Sequence, residues 1–228
     1  MATVSEEIDP RLASTSFVDA EHPRVVEFAR TAIEGANTAK DKAVQLFSAV
    51  RDVVRYDPYS ITFDADRYVA SNVIDAPGAY CIPKAILLCA SARAVGIPAM
   101  LGFADVKNHL NTEKLRERMG TDLFVYHGYT ALWLDERWLK VTPTFNVELC
   151  ERFGVPPMEF DGEQDALLHA YDGAGRRHME YVNDHGLFAD FDLELIKREF
   201  EATYPQFDFG NKASSPSKTR FEDEAPLQ

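Results

Sequence analysis

The feature that most constrains the fold is a run of residues, 82–95, that is apolar on nearly every side of a helix. Only Lys84, Ser91 and Arg93 interrupt the run. Gly96 follows it, and glycine commonly ends a helix. A helix that is apolar all round is stable in water only when other elements cover its whole surface. The run therefore predicts a helix buried at the centre of the molecule.

Shorter patterns on both sides predict the elements that cover this helix. Apolar residues at helical spacing indicate one helix from residue 23 and another over 41–54. Strands are predicted over 97–104, 125–134 and 137–141, with a charged, partly helical excursion over 105–122. Helices followed by a run of strands favour an α+β fold.

The length of 228 residues fits one domain. We expect a single domain over 1–209, with its core at about 41–146 and a loop-rich extension, 147–209, folded over that core. The remaining residues, 210–228, are polar and of low complexity, so they are expected to form a disordered tail.

Composition excludes several classes of partner. The 37 acidic residues outnumber the 24 basic ones, and the net charge of −13 opposes nucleic-acid phosphates and anionic membranes. No segment is apolar for long enough to span a membrane, and the first ten residues lack the apolar run of a signal peptide. Three cysteines are too few for a disulfide framework, so a reducing cytoplasm is expected. The oligomeric state stays open.

Cys81 lies where a glycine-containing turn, residues 77–80, enters the central helix. The first N–H groups of a helix and its positive dipole end stabilise negative charge, which lowers the pKa of a thiol placed there. Such a sulfur can act as a nucleophile. The alternative is an inert cysteine that packs as a small hydrophobic residue, which is the more common role of an isolated free cysteine.

The predicted strands 125–134 and 137–141 form a hairpin, which places a histidine where it could serve such a nucleophile. Side chains alternate along a strand, so His127 and Tyr129 share one face. If residues 135–136 form a two-residue loop, Tyr129 lies opposite Thr142 and His127 opposite Thr144. Thr142 is then one diagonal step from His127, at roughly 7–8 Å between backbones. The sequence therefore offers a nucleophile, a base and a hydroxyl that could orient the base.

Two strings of residues give the chain a family resemblance. Gly78-Ala79-Tyr80-Cys81, Arg93 and Gly96-Ile97-Pro98-Ala99 resemble the cysteine helix of the transglutaminase-like superfamily. His127, followed by a paired strand that ends in Val141-Thr142-Pro143-Thr144, resembles the histidine strand and the Asp-Pro-Thr strand of that superfamily. The match covers roughly residues 41–145.

The resemblance implies a papain-like α+β fold, in which the cysteine helix packs on an antiparallel sheet. It implies that Cys81 is the nucleophile, that His127 is its general base and that the reaction passes through a thioester acyl-enzyme. One departure stands out: Thr142 occupies the position where the family carries an aspartate. A hydroxyl can orient an imidazole, but it cannot stabilise the imidazolium as a carboxylate does.

Other residues could complete the site. Asn146 and Asp161 are the alternatives to Thr142, ranked behind it. The Cys81 N–H is the first expected oxyanion donor. Asn72 has suitable chemistry for the second, although asparagine in a loop is more often a turn former.

A histidine-rich segment, 168–186, invites comparison with metal sites. Its members are His169, Asp172, His178, Glu180 and His185. Their spacing matches neither the helical zinc-protease pattern nor a structural-zinc pattern. The favoured interpretation is an extension that borders the active cleft. We expect no metal and no cofactor.

These observations predict a cysteine hydrolase, most simply a peptidase or amidase. A biosynthetic acyltransferase or cyclase and a non-catalytic peptide-binding domain of the same fold are the alternatives. The expected partner is a peptide, a protein or a small amide or thioester.

Overall fold

A computed structural model gives the architecture of the protein and describes residues 9–108, 112–167, 179–209 and 220–225. Within these ranges the helices are α1 (Pro23–Ala32), α2 (Ala39–Val53), α3 (Ala70–Val73), α4 (Cys81–Ala94), α5 (Glu113–Met119), α6 (Val147–Phe153) and α7 (Leu193–Thr203). Short 3-10 turns cover Pro58–Ser60, Ala65–Tyr68 and Phe221–Glu224.

Four strands form one antiparallel sheet: β1 (Ala99–Asn108), β2 (Leu123–Leu134), β3 (Arg137–Val141) and β4 (Met179–Phe188). Their order across the sheet is β3-β2-β1-β4. Gly102 of β1 pairs with Tyr129 of β2 on one side and with Leu187 of β4 on the other. The α+β class predicted from the sequence is confirmed.

The central helix α4 is buried along nearly its whole length, as its apolar surface predicts. It packs against β2, where the Thr130 hydroxyl donates a hydrogen bond to the Ala85 carbonyl at 2.9 Å. Arg93 is held by three backbone carbonyls, those of Ala13, Ala99 and Ala189.

Lys84 fastens the start of α4 to the end of α2. Its ammonium group is fully buried and donates to the carbonyls of Arg51 and Val54 at 2.8 and 2.5 Å. Burial lowers the Lys84 pKa to about 7, and the nearby carboxylate of Asp52 partly offsets that effect. A lysine at this helix end also supplies donors that the last carbonyls of α2 lack.

The β2–β3 hairpin has the register expected from the sequence. Leu134 pairs with Arg137, Trp133 with Trp138, and the ladder continues to Thr130 opposite Val141. Asp135 and Glu136 both have positive φ, 48° and 63°, as a two-residue hairpin turn requires. The hairpin is therefore confirmed over its paired length.

Two expectations about the fold are corrected. β1 runs on to Asn108, so the charged excursion begins later than residue 105 and its helix is α5. The extension over 147–209 is not loop-rich in the part that the structure describes, because it contains α6, β4 and α7. β4 is an edge strand whose middle residues are exposed, so it lacks the alternation that marks a half-buried strand.

Part of the predicted tail is visible as a packed turn. Phe221 is buried and stacks on Phe153, and Glu222 forms an ion pair with Arg55 at 3.0 Å. The rest of that segment, 210–219 and 226–228, lies outside the described residues. The single-domain boundaries stay a prediction.

No helix in the described parts of the chain combines the length and the hydrophobicity that crossing a bilayer requires.

Candidate active site

Cys81 is the first residue of α4 and is 8% exposed. The turn before it is fastened to the segment after α2, since the Ala79 N–H donates to the Arg55 carbonyl and the Asp57 N–H donates to the Ala79 carbonyl. Tyr80, the residue before the helix, makes no side-chain cap. The N–H groups of Cys81 and Ile82 at this end instead act on the Cys81 sulfur.

The sulfur of Cys81 already accepts one backbone hydrogen bond. The N–H of Gly128 in β2 donates to Sγ, with the nitrogen and sulfur 3.4 Å apart. Gly128 permits this approach because an added Cβ would lie 2.9 Å from the Cα of Ile82. The helix and the strand thus touch at the nucleophile itself.

The pKa of the Cys81 thiol differs from the expectation. Burial raises it to about 12, and the N–H groups of Gly128, Ile82 and Cys81 itself offset this only in part. The helix start does act on the sulfur in the predicted direction. It is outweighed because the thiolate would be withdrawn from water, so the resting form is the thiol.

His127 lies on β2 opposite Ala104 and is 8% exposed. Burial lowers the pKa of its imidazole to about 4, so the ring is neutral at pH 7. Its Nε2 atom is buried and has no hydrogen-bond partner among the described residues. Nothing in those residues therefore ties that nitrogen to a fixed acceptor or donor.

Cys81 and His127 border the same small cavity of about 30 Å³. Its walls are largely aromatic, with Tyr56 from the segment after α2 and Phe200 and Tyr204 from α7 and its end. The space can hold a water molecule, but it is too small for an acyl substrate. For an acyl group to occupy this space between both catalytic candidates, these walls must move.

Thr142 lies just beyond β3 and is buried, with its backbone N–H bonded to the Ala166 carbonyl at 2.8 Å. Its hydroxyl oxygen has no hydrogen-bond partner within the described residues. Burial raises the pKa of Tyr181, and the Thr142 hydroxyl lowers it in part. The two hydroxyls therefore lie near each other, although they form no hydrogen bond of good geometry. The predicted contact from Thr142 to His127 is not made in this state.

The two alternatives to Thr142 are engaged elsewhere. Asn146 is buried, and its Oδ1 accepts the Tyr56 N–H at 3.0 Å, which fixes a wall of the cavity. Asp161 is exposed and caps its own turn by accepting the N–H groups of Glu163 and Gln164. Those hydrogen bonds lower the Asp161 pKa. Neither the amide oxygen of Asn146 nor the carboxylate of Asp161 is bonded to His127.

The other residues considered from the sequence lie apart from this cavity or outside the described chain. Asn72 is exposed and donates to the Asp66 carbonyl, which is the turn role weighed against an oxyanion role. His169, Asp172 and His178 lie outside the described residues. Within the described ranges no group of three or more His, Cys, Asp or Glu side chains could hold a metal ion.

Sequence reasoning missed the aromatic walls. Phe200 follows Ile196 at helical spacing in α7, so its apolar face is visible in the sequence. Its position over the cavity depends on contacts with Tyr80, more than a hundred residues earlier, and no local pattern encodes such a contact.

Comparisons with known proteins identify the family of the chain. The model of the transglutaminase-like superfamily matches residues 26–143, more than half of the chain. A crystal structure named "Putative Cysteine Protease from Cytophaga hutchinsonii" aligns with 17% identity and a TM-score of 0.46, covering 84% of this chain. This chain spans 60% of that protein. No curated sequence matches significantly. On the family match, the chain belongs to the transglutaminase-like superfamily.

Proposed function

We propose that the protein is a cysteine enzyme in which Cys81 attacks an amide or thioester carbonyl and carries the acyl group as a thioester. One observation carries the proposal: the thiol at the start of a buried helix and the imidazole of His127 border one cavity. Membership of the superfamily supports this chemistry without selecting the reaction.

The proposed activation of the thiol starts from two neutral groups. With the thiol pKa near 12 and the imidazole pKa near 4, both groups are neutral at pH 7. A preformed thiolate–imidazolium pair is therefore not the resting state. His127 acts as a general base that takes the thiol proton while the sulfur attacks.

In the proposed acylation a tetrahedral intermediate forms and then collapses to a thioester. The Cys81 sulfur forms a bond to the carbonyl carbon, the carbonyl π electrons move to oxygen, and the thiol proton passes to His127. The C–N or C–S bond to the leaving group then breaks, and His127 returns the proton to the departing amine or thiolate. The product is a thioester on Cys81.

Backbone donors can stabilise the oxyanion of that intermediate. The Cys81 N–H at the helix start is the first donor proposed, and the Gly128 N–H, which rests on the sulfur in this state, is the second. Thr142 remains the proposed side-chain acceptor for the His127 ring, because its hydroxyl is buried and has no other partner among the described residues.

Water is the proposed acceptor that releases the acyl group, which makes the protein a peptidase or amidase. Its substrate is then a peptide, a protein or a small amide. We place the protein in the cytoplasm, since Cys81, Cys89 and Cys150 are all free thiols.

The aromatic walls favour one competing reaction. A cavity of about 30 Å³ enclosed by Tyr56, Phe200 and Tyr204 restricts water, and an acyl-enzyme shielded from water can pass its acyl group to an amine. An acyltransferase or cyclase is therefore the second proposal.

The threonine at position 142 also suits a domain that binds peptides without turnover. Carbamidomethylation by iodoacetamide at pH 7, followed by peptide mapping, separates this possibility from an enzyme. Cys81 should react faster than Cys89 and Cys150. Because Cys81 is also the most exposed of the three, the decisive variant is His127→Gln, which should slow Cys81 alone.

Turnover is tested with p-nitrophenyl acetate. An enzyme should release nitrophenolate in a burst equal to the protein concentration and carry the acetyl group on Cys81. Added glycine methyl ester should accelerate release and appear acetylated if acyl transfer is the reaction. Equal Cys81 alkylation in wild type and His127→Gln, with no burst, would establish the binding domain instead.

A further inference from the structure

A β-bulge lies directly before His127. Ala104 of β1 pairs with His127, but Val106 pairs with Phe124, so the single residue Asp105 faces two residues of β2. The second of those two is Tyr126, whose φ of +52° lies in the left-handed region. A residue with a bulky side chain adopts this conformation only when its surroundings hold it there.

The carboxylate of Asp105 supplies one such restraint. Its Oδ1 atom accepts the backbone N–H of Tyr126 at 3.0 Å. The same oxygen bonds Nε2 of His185 at 2.8 Å. Both side chains are mostly buried, 16% exposed for Asp105 and 20% for His185, so water competes weakly for these bonds.

His185 supplies the second restraint and comes from β4, which pairs with β1 on the side away from β2. It lies in a bulge of β4, since Phe103 pairs with Gly186 and Ala104 pairs with Asp184. Its ring stacks on the ring of Tyr126, with centroids 4.0 Å apart and planes within 9°. Two bulges on either side of β1 thus converge on one carboxylate.

This arrangement bears on the direction in which His127 points. A bulge re-aims the side chain that follows it, because it rotates the strand locally. The Nε2 atom of His127 and the hydroxyl of Thr142 have no hydrogen-bond partners among the described residues, so no hydrogen bond at Nε2 orients the ring. We propose that Asp105 is a positioning residue that directs His127 toward Cys81 by holding the Tyr126 bulge, with His185 as its brace.

The proposal rests on the proposed function, in which His127 is the base for Cys81. It adds a mechanism by which a chain with threonine at position 142 keeps that base oriented. A family triad orients the histidine through its ring, whereas here the described contacts act through the backbone of the preceding residue.

The test is the rate of Cys81 carbamidomethylation by iodoacetamide at pH 7, in which sulfur displaces iodide and the thiol proton passes to His127. Asp105→Ala removes the acceptor of the Tyr126 N–H and should lower the rate of Cys81 alkylation by about tenfold or more. A general base accelerates a reaction by about 10²–10⁴-fold, and a misplaced base loses part of that acceleration. Asp105→Asn keeps an oxygen in the same place and should restore most of the rate.

A matched control uses a carboxylate that also accepts a strand N–H but lies away from the bulge. Asp165 accepts the Lys140 N–H at 2.9 Å, so Asp165→Ala should leave Cys81 alkylation unchanged. Urea unfolding checks that each variant is folded. If Asp105→Ala does not fold, Asp105→Glu displaces the accepting oxygen by one methylene and carries the same expected loss.

The double variant Asp105→Ala/His127→Gln separates positioning from general damage. If Asp105 acts through His127, adding Asp105→Ala to His127→Gln should cost nothing further. Wild-type rates in Asp105→Ala, or an equal loss with and without His127, would overturn the positioning role. Failure of His127→Gln to slow Cys81 in the wild-type background would instead overturn the proposed function.

Discussion

The backbone N–H of Gly128 donates to Sγ of Cys81 across 3.4 Å, which joins the strand that carries the base to the helix that carries the thiol. The contact needs a residue without a side chain, because a Cβ on Gly128 would lie 2.9 Å from the Cα of Ile82. The packing of β2 on α4 and the environment of the sulfur are therefore set by the same residue.

Gly128→Ala should disturb both the packing of β2 on α4 and the environment of the Cys81 sulfur. Overpacking at a backbone atom that cannot move aside should lower the free energy of unfolding by about 1–3 kcal/mol. Moving β2 away from α4 should also slow carbamidomethylation of Cys81 by iodoacetamide. Gly162→Ala is the matched control, since its Cβ would meet the Lys40 side chain away from the cavity that Cys81 borders, and its φ of +75° disfavours a side chain. It should destabilise the protein without slowing Cys81, and equal slowing by both would show a general packing effect.

His127 should make stability depend on pH between about 6.5 and 4. The unfolded chain protonates this ring below its ordinary pKa of 6.5, whereas burial keeps the folded ring neutral down to about 4. The unfolded state therefore binds more protons in this window, and stability is lost as pH falls through it. The loss should approach roughly 3 kcal/mol, at about 1.4 kcal/mol for each pKa unit.

Urea unfolding of wild type and His127→Asn at pH 7, 6 and 5 measures this contribution. The wild type should lose stability relative to the variant as pH falls, because the variant has no ring to protonate. A difference between the two proteins that stays constant with pH would contradict the burial of a neutral His127.

Thr142→Val tests the hydroxyl at the position of the family aspartate. One neutral hydrogen bond contributes about 0.5–1.5 kcal/mol, so losing it should slow p-nitrophenyl acetate turnover by about tenfold at most. Stability should not fall, because the hydroxyl is buried without a partner among the described residues. A loss as large as that of His127→Gln would mean that Thr142 is essential to the base, and no loss would remove it from the site.

Local patterns explain why some of this structure could be predicted. The helix α4 and the β2–β3 hairpin each carry their own signal, an all-round apolar surface in one and a two-residue turn between β-forming runs in the other. Their packing brings Cys81 and His127 to one cavity, which the sequence predicted through the family resemblance and the strand faces.

The remainder depends on contacts between distant residues. Asp105 and His185 are 80 positions apart, and neither carries a motif that predicts their bond. The raised pKa of Cys81 arises from burial, which the helix-start position does not reveal. The aromatic closure likewise requires α7 to return over the helix start, and the exposed edge strand that leads to it gives a weak pattern.

Phe200 should control access to Cys81. Its ring lines the cavity, is 3% exposed and packs near the rings of Tyr80 and Tyr204, so it closes the space in which a substrate must fit. Phe200→Ala should open that wall and raise the rate of Cys81 with a bulky maleimide relative to its rate with iodoacetamide. The free energy of unfolding should fall by about 3–5 kcal/mol, the usual cost of removing a buried ring.

Phe160→Ala provides the comparison for that experiment. Phe160 is buried to a similar extent, 4% exposed, and packs on Phe47 away from the cavity. It should lose comparable stability while the ratio of maleimide to iodoacetamide rates stays at the wild-type value. An unchanged ratio in Phe200→Ala would show that the α7 wall does not limit entry. An equal rise in both variants would mean that loosening of the whole core, rather than the α7 wall, exposes Cys81.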